Sequence, residues 1–116
     1  MRPLAAGSAA EETPAATGGE PARSEASRRY LDLLKGVLTR SIFLDERAGR
    51  DATELERRRA TRRGGLDIPD EAETMIGLDR LDNLEHCIER VLADGIPGDL
   101  IEAGVWRGGA CIFMAG

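Results

Sequence analysis

Apolar positions along the chain fall into three blocks, two at helical spacing and one too short to show a period. In "RRYLDLLKGVLTRSIF", residues 28 to 43, Tyr30, Leu33, Leu34, Val37 and Leu38 recur at helical spacing. That spacing predicts an amphipathic helix with Ser27 as its N-cap, whose apolar face packs on a core or a partner subunit. In the second block Leu78, Leu81, Leu84, Ile88, Val91 and Leu92 form another helical stripe. Gly95 followed by Pro97 is its stop signal. The third block is short: Asp99 to Ala103 carries Leu100 and Ile101 between Gly98 and Gly104, too few residues for a helix and suited to a buried parallel strand. "ACIFMA", from Ala110, then opens a further helix. The order helix, helix, strand, glycine turn, helix predicts an α/β fold whose sheet has only begun.

The intervening segments change this picture little. Residues 1–26 are mainly Ala, Gly, Pro, Ser, Thr and Glu, so burial cannot offset the entropy of ordering them, and a disordered leader is expected. Pro3, Gly7, Ser8, Glu11 and Glu12 interrupt any apolar run of signal-peptide length, and no stretch reaches the roughly 20 apolar residues of a membrane span. A cytoplasmic protein without a membrane partner is the expectation. The organisation is then a leader over 1–26, a helical region over 27–98, and the start of a second unit over 99–116. Residues 45–65, charged, weakly helical in pattern and ending in Gly64 and Gly65, read as a mobile connector.

Charge and cysteine usage narrow the function classes. A net charge of -5 argues against a nucleic-acid partner. The basic run "RRRATRR", residues 57 to 63, reads as a solvated helix face or loop with Glu54 paired to Arg58 at i, i+4, rather than as a phosphate site. Cys87 and Cys111 are too few and too scattered for a disulfide framework or a zinc site. His86 beside Cys87 has no second ligand at i+4, so a surface or packing role is expected.

The chemistry therefore rests on "DLIEAGVWRGGA", residues 99 to 110. A phosphate-cradling loop needs Lys and Ser or Thr after its last glycine, and Ala110 and Cys111 stand there instead. A dinucleotide fingerprint needs a middle glycine where Trp106 stands, which crowds the approach to a pyrophosphate. A cofactor without phosphates, S-adenosylmethionine, fits the E-x-G-x-x-x-G-G pattern from Glu102 to Gly109. The carboxylate can engage the cationic amino group of the methionine moiety, while glycines let backbone pass close by. An ordinary strand-to-helix turn with a glycine cap also satisfies this spacing.

Residues 74 to 114, with "TMIG", "RLDNL", "VLADGIPGDLIE" and "GVWRGGACIFM", resemble the macrocin O-methyltransferase family, which methylates sugar hydroxyls on macrolides and related natural products. "YLDLLKGVLTR" is similar to the family's N-terminal helix. The resemblance implies a Rossmann-like class I methyltransferase sheet and a glycosylated small-molecule substrate. It places Glu102, Gly104, Trp106, Arg107, Gly108 and Gly109 around S-adenosylmethionine, with Thr74, Met75 and Ile76 folding over it. It further implies carboxylate-held magnesium, a base that removes the hydroxyl proton, and a homo-oligomer. In the family those catalytic and metal-binding residues lie downstream of the glycine turn, so an inactive N-terminal piece of a longer enzyme is expected. Ile68 before Pro69 departs from the family's usual aromatic residue. A small helical interaction module is the alternative from a different class, and a nucleotide-binding protein a third reading that the missing lysine disfavours.

Overall fold

The computed structural model describes residues 23–44 and 51–116. Residues 1–22 of the leader expected over 1–26, and residues 45–50 of the expected connector, lie outside the described residues; the last four of the expected leader are not disordered but carry the Ser24 cap and the first residues of a helix. Four α-helices are present among those described: α1 (Glu25–Leu38), α2 (Ala52–Gly64), α3 (Leu78–Ala93) and α4 (Gly109–Ala115). A single 3-10 turn, Ser41–Phe43, follows α1.

α1 starts earlier than the apolar pattern indicates. Ser24, not Ser27, is the N-cap, accepting from the Ser27 amide at 3.1 Å. The buried stripe is also rotated: Leu31, Lys35 and Leu38 face inward with Leu34 beside them, while Tyr30 and Leu33 are exposed. The cause is an ion network. Lys35 donates to Asp82 of α3 at 2.5 Å and pairs with Glu85, which also pairs with Arg23. Drawing Lys35 into this contact turns its neighbours Leu31 and Leu38 toward α3, and the amphipathic lysine stem covers apolar surface on the way.

α2 corrects the expectation of a mobile connector. Asp51 caps it, accepting from the Thr53 and Glu54 amides at 3.0 and 3.2 Å. Gly65 (φ 65°) ends it, with the Gly65 amide donating to Arg62 O and the Leu66 amide to Thr61 O. That pair of bonds in a left-handed cap is the Schellman arrangement. α3 ends in the same way: Gly95 (φ 61°) donates to Leu92 O and Ile96 to Val91 O, so the stop signal at Gly95 is correctly placed. His86 and Cys87 are exposed on α3.

Leu31, Leu38, Leu81 and Phe113 form the core, flanked by Leu34, Ile76 and Leu84. Phe113, at 4% exposure, ties the short α4 to α1 and α3. Burial of such a ring is worth roughly 1.5–3 kcal/mol.

The expected buried strand does not form. Among the described residues there is no β-ladder, and Asp99–Ala103 is irregular, with Leu100 48% and Ile101 91% exposed. A strand exists only by hydrogen bonding to a neighbour, and no described segment supplies one.

Candidate cofactor site

The glycine turn between residue 103 and α4 is shaped by left-handed backbone. Gly104 (φ 79°) and Gly108 (φ 81°) occupy conformations that disfavour side chains, and nothing lies within 4 Å of where a Cβ would stand at either. Both glycines thus face open space. Glu102, half-buried at the entrance to the turn, accepts a hydrogen bond from the Cys111 thiol at 2.8 Å. That bond, with burial adding to it, pushes the Cys111 thiol above its usual range.

At the other end of the turn Gly109 is packed tightly. Its amide donates to Glu73 O at 3.0 Å, and a Cβ there would stand 2.5 Å from Glu73 O and 2.6 Å from Thr74 Cβ. Only glycine permits this approach. The two segments selected from sequence, 74–76 and 102–109, therefore adjoin at Gly109. Thr74 is buried and its amide donates to Leu38 O, the Met75 side chain is partly exposed, and Ile76 packs on the core.

Trp106 and Arg107 stack, the guanidinium carbon 4.2 Å from the ring centroid. Arg107 Nη1 donates to Asp70 O at 2.6 Å and Ala72 O at 3.1 Å, so the guanidinium is turned toward the 66–77 segment. That segment, here called the strap, has no regular structure, yet two further arginines grip it. Arg40 donates from Nε to Glu71 O at 2.9 Å and from Nη2 to Glu73 Oε1 at 2.8 Å. Arg62, at 1% exposure, donates to Met75 O at 2.7 Å and lies 3.0 Å from Asp67 Oδ1. Burial draws the Arg62 guanidinium below its ordinary range, and Asp67 partly restores it.

These strap contacts have no periodic signature in the sequence. The less exposed side of α2 carries Glu54, Leu55, Arg58, Thr61 and Arg62, so a helical stripe is present but written almost entirely in polar and charged residues. "RRRATRR" is accordingly divided in role. Arg58 pairs with Glu54 at 2.6 Å on a partly solvated face, as the spacing indicates, while Arg62 is buried.

The half-buried carboxylate and the open glycine backbone suit a cationic, phosphate-free cofactor better than a nucleotide. Among the described residues no group of three or more His, Cys, Asp or Glu side chains is placed to hold a metal ion. A groove of about 490 Å³ between α1, α3 and α4, lined by Tyr30, Leu31, Ile88, Leu92 and Phe113, contains none of the cofactor-site residues selected from sequence.

The helices leading into this glycine turn match part of a solved O-methyltransferase. A solved structure described as the O-methyltransferase NovP matches with a TM-score of 0.63 and 46% sequence identity over 75% of this chain and 34% of that one. The chain belongs to the Macrocin-O-methyltransferase (TylF) family, whose profile matches residues 27–116. Among its relatives is 8-demethyl-8-(2,3-dimethoxy-alpha-L-rhamnosyl)-tetracenomycin-C 4'-O-methyltransferase of Streptomyces olivaceus, 54% identical over 73% of this chain and 33% of the relative. Mycinamicin III 3''-O-methyltransferase of Micromonospora griseorubida is 52% identical over 75% of this chain and 35% of its own length. Demethyldecarbamoylnovobiocin O-methyltransferase of Streptomyces niveus is 45% identical over 78% and 35%. The chain thus spans about a third of the length of the curated relatives it matches, in their N-terminal part.

Proposed function

We propose that this chain is the cofactor-cradling part of an S-adenosylmethionine-dependent O-methyltransferase acting on a sugar hydroxyl of a glycosylated natural product. The family membership carries this reading, and the junction of the turn with the strap at Gly109 supports it. When bound, the cofactor supplies an electrophilic methyl group on a sulfonium that is already a good leaving group. The chain's own task is binding and orientation. Glu102 receives the amino group of the methionine moiety, Gly104 and Gly108 leave room for it, and Thr74–Ile76 covers it from the strap.

The acceptor oxygen, the base that deprotonates it and the carboxylates for magnesium belong to parts of the family's sheet that the described residues do not contain. In this reading the chain works as part of a cytoplasmic, homo-oligomeric enzyme, and no turnover is expected of it by itself. The test is transfer of labelled methyl from S-adenosylmethionine, with magnesium, to a panel of glycosylated macrolide, tetracenomycin-type and aminocoumarin acceptors. It is run on this chain and on the polypeptide encoded by the surrounding reading frame. Transfer is expected only from the latter. Transfer by neither, together with no saturable cofactor binding, overturns the reading, and transfer by the chain alone overturns its incompleteness.

A further inference from the structure

We infer that Arg62 is a positioning residue for the glycine turn, acting through the strap. This rests on the proposed function for its purpose, although the geometry stands independently of any cofactor. The strap begins at the end of α2 and ends at the start of α3, and its two ends touch. A Cβ on Gly77 would collide with Arg63 O, the Gly65 amide nitrogen and Arg62 O. Inside this closed loop one guanidinium, that of Arg62, binds both flanks: Asp67 near the beginning and Met75 O near the end.

Irregular chain must satisfy its carbonyls by other means than a ladder. Here the carbonyls of Asp70, Glu71, Ala72 and Met75 all accept from arginines, and those arginines come from three separate places: Arg40 after α1, Arg62 in α2 and Arg107 in the turn. A fifth carbonyl of the segment, that of Glu73, receives the Gly109 amide. Arg40 and Arg107 are exposed enough for water to replace them, whereas Arg62 is buried and its loss leaves Met75 O without its donor and the Asp67 carboxylate without its cation. The strap then loosens at both flanks, and the acceptor of Gly109 keeps only the ties of the Glu73 and Thr74 amides to Leu38 O and of Arg40 to Glu71 O and Glu73. Arg62 thereby sets the shape of the turn before the cofactor arrives, without touching it.

The experiment is amide hydrogen exchange by NMR on the isotopically labelled 116-residue chain. Gly109 and Thr74 are the reporters, and Thr39, whose amide donates to Lys35 O in α1, is the reference. In Arg62→Met, with helical circular dichroism retained, Gly109 exchange is expected to accelerate about tenfold or more relative to Thr39. Arg62→Lys, which keeps the charge and one donor, restores part of the protection. A Gly109 amide unchanged in Arg62→Met, or unprotected in the unsubstituted chain, overturns the inference. If Arg62→Met loses its helices, Asp67→Asn replaces it, since it releases one flank and leaves the bond to Met75 O. A selective rise at Gly109 is again expected, and no rise overturns the inference. Titrating the same sample with S-adenosylmethionine is a separate arm: absence of shifts at Gly104 and Gly108 counts against the proposed function while leaving the hold of Arg62 on the turn intact.

Discussion

At the scale of single residues, the contact between Cys111 and Glu102 ties the carboxylate to the first turn of α4. Because the carboxylate accepts from the thiol, it favours the protonated form. Glu102→Gln should therefore release the thiolate and speed alkylation of Cys111 severalfold at pH 8, with the exposed Cys87 as internal reference, both followed by mass spectrometry. Gly77 provides a steric counterpart. Gly77→Ala places a methyl group against three backbone atoms that have no rotamer to escape into, and should lower stability by about 2 kcal/mol in a thermal melt. Glycines at 102–109 could be selected from their spacing alone, because the pattern of small residues is local. Arg62, Glu73 and Arg40 could not, since an arginine that binds a distant carbonyl looks the same in sequence as one in water.

At the scale of elements, α1 and α3 were legible because leucines recur at the helical period, although the ion network around Lys35 turned α1 by part of a turn from the face its leucines suggest. α2 was legible only as a weak helical pattern with a solvated face, since arginine stems take the inward places that apolar residues would normally mark. Its stability should depend on acid. Hydrogen bonds from Arg57, then Arg58, hold the Glu54 carboxyl at about 2, well below its ordinary 4.5. A depressed folded value means that the contribution is present above pH 4.5 and is lost as pH falls from there toward about 2. Backbone chemical shifts of residues 52–58 should report fraying over that window, and Glu54→Gln should remove its pH dependence. Lys35 has the opposite sign. Burial lowers it, but hydrogen bonds to Asp82 and Glu85 outweigh burial and leave it raised above its ordinary 10.5. The link between α1 and α3 is thus complete below that value and weakens as alkalinity passes beyond it.

At the scale of the whole molecule, the expected strand shows where local pattern stops being informative. Leu100 and Ile101 have the composition of a buried strand, but pairing is non-local and none of the described residues offers an edge to them. Their exposure, with Val105 and Trp106 beside them, leaves an uncovered apolar stretch next to the turn. The chain should associate with rising concentration through this stretch, and Ile101→Lys should suppress that association in light scattering while leaving helical circular dichroism unchanged. The stack of Trp106 on Arg107 has a practical consequence as well. Trp106 is the single indole in the sequence, and the guanidinium lying on it holds the strap by the carbonyls of Asp70 and Ala72. Its emission is therefore a built-in optical gauge of docking, so that stopped-flow fluorescence can time how fast the loop seats and lifts without any attached dye.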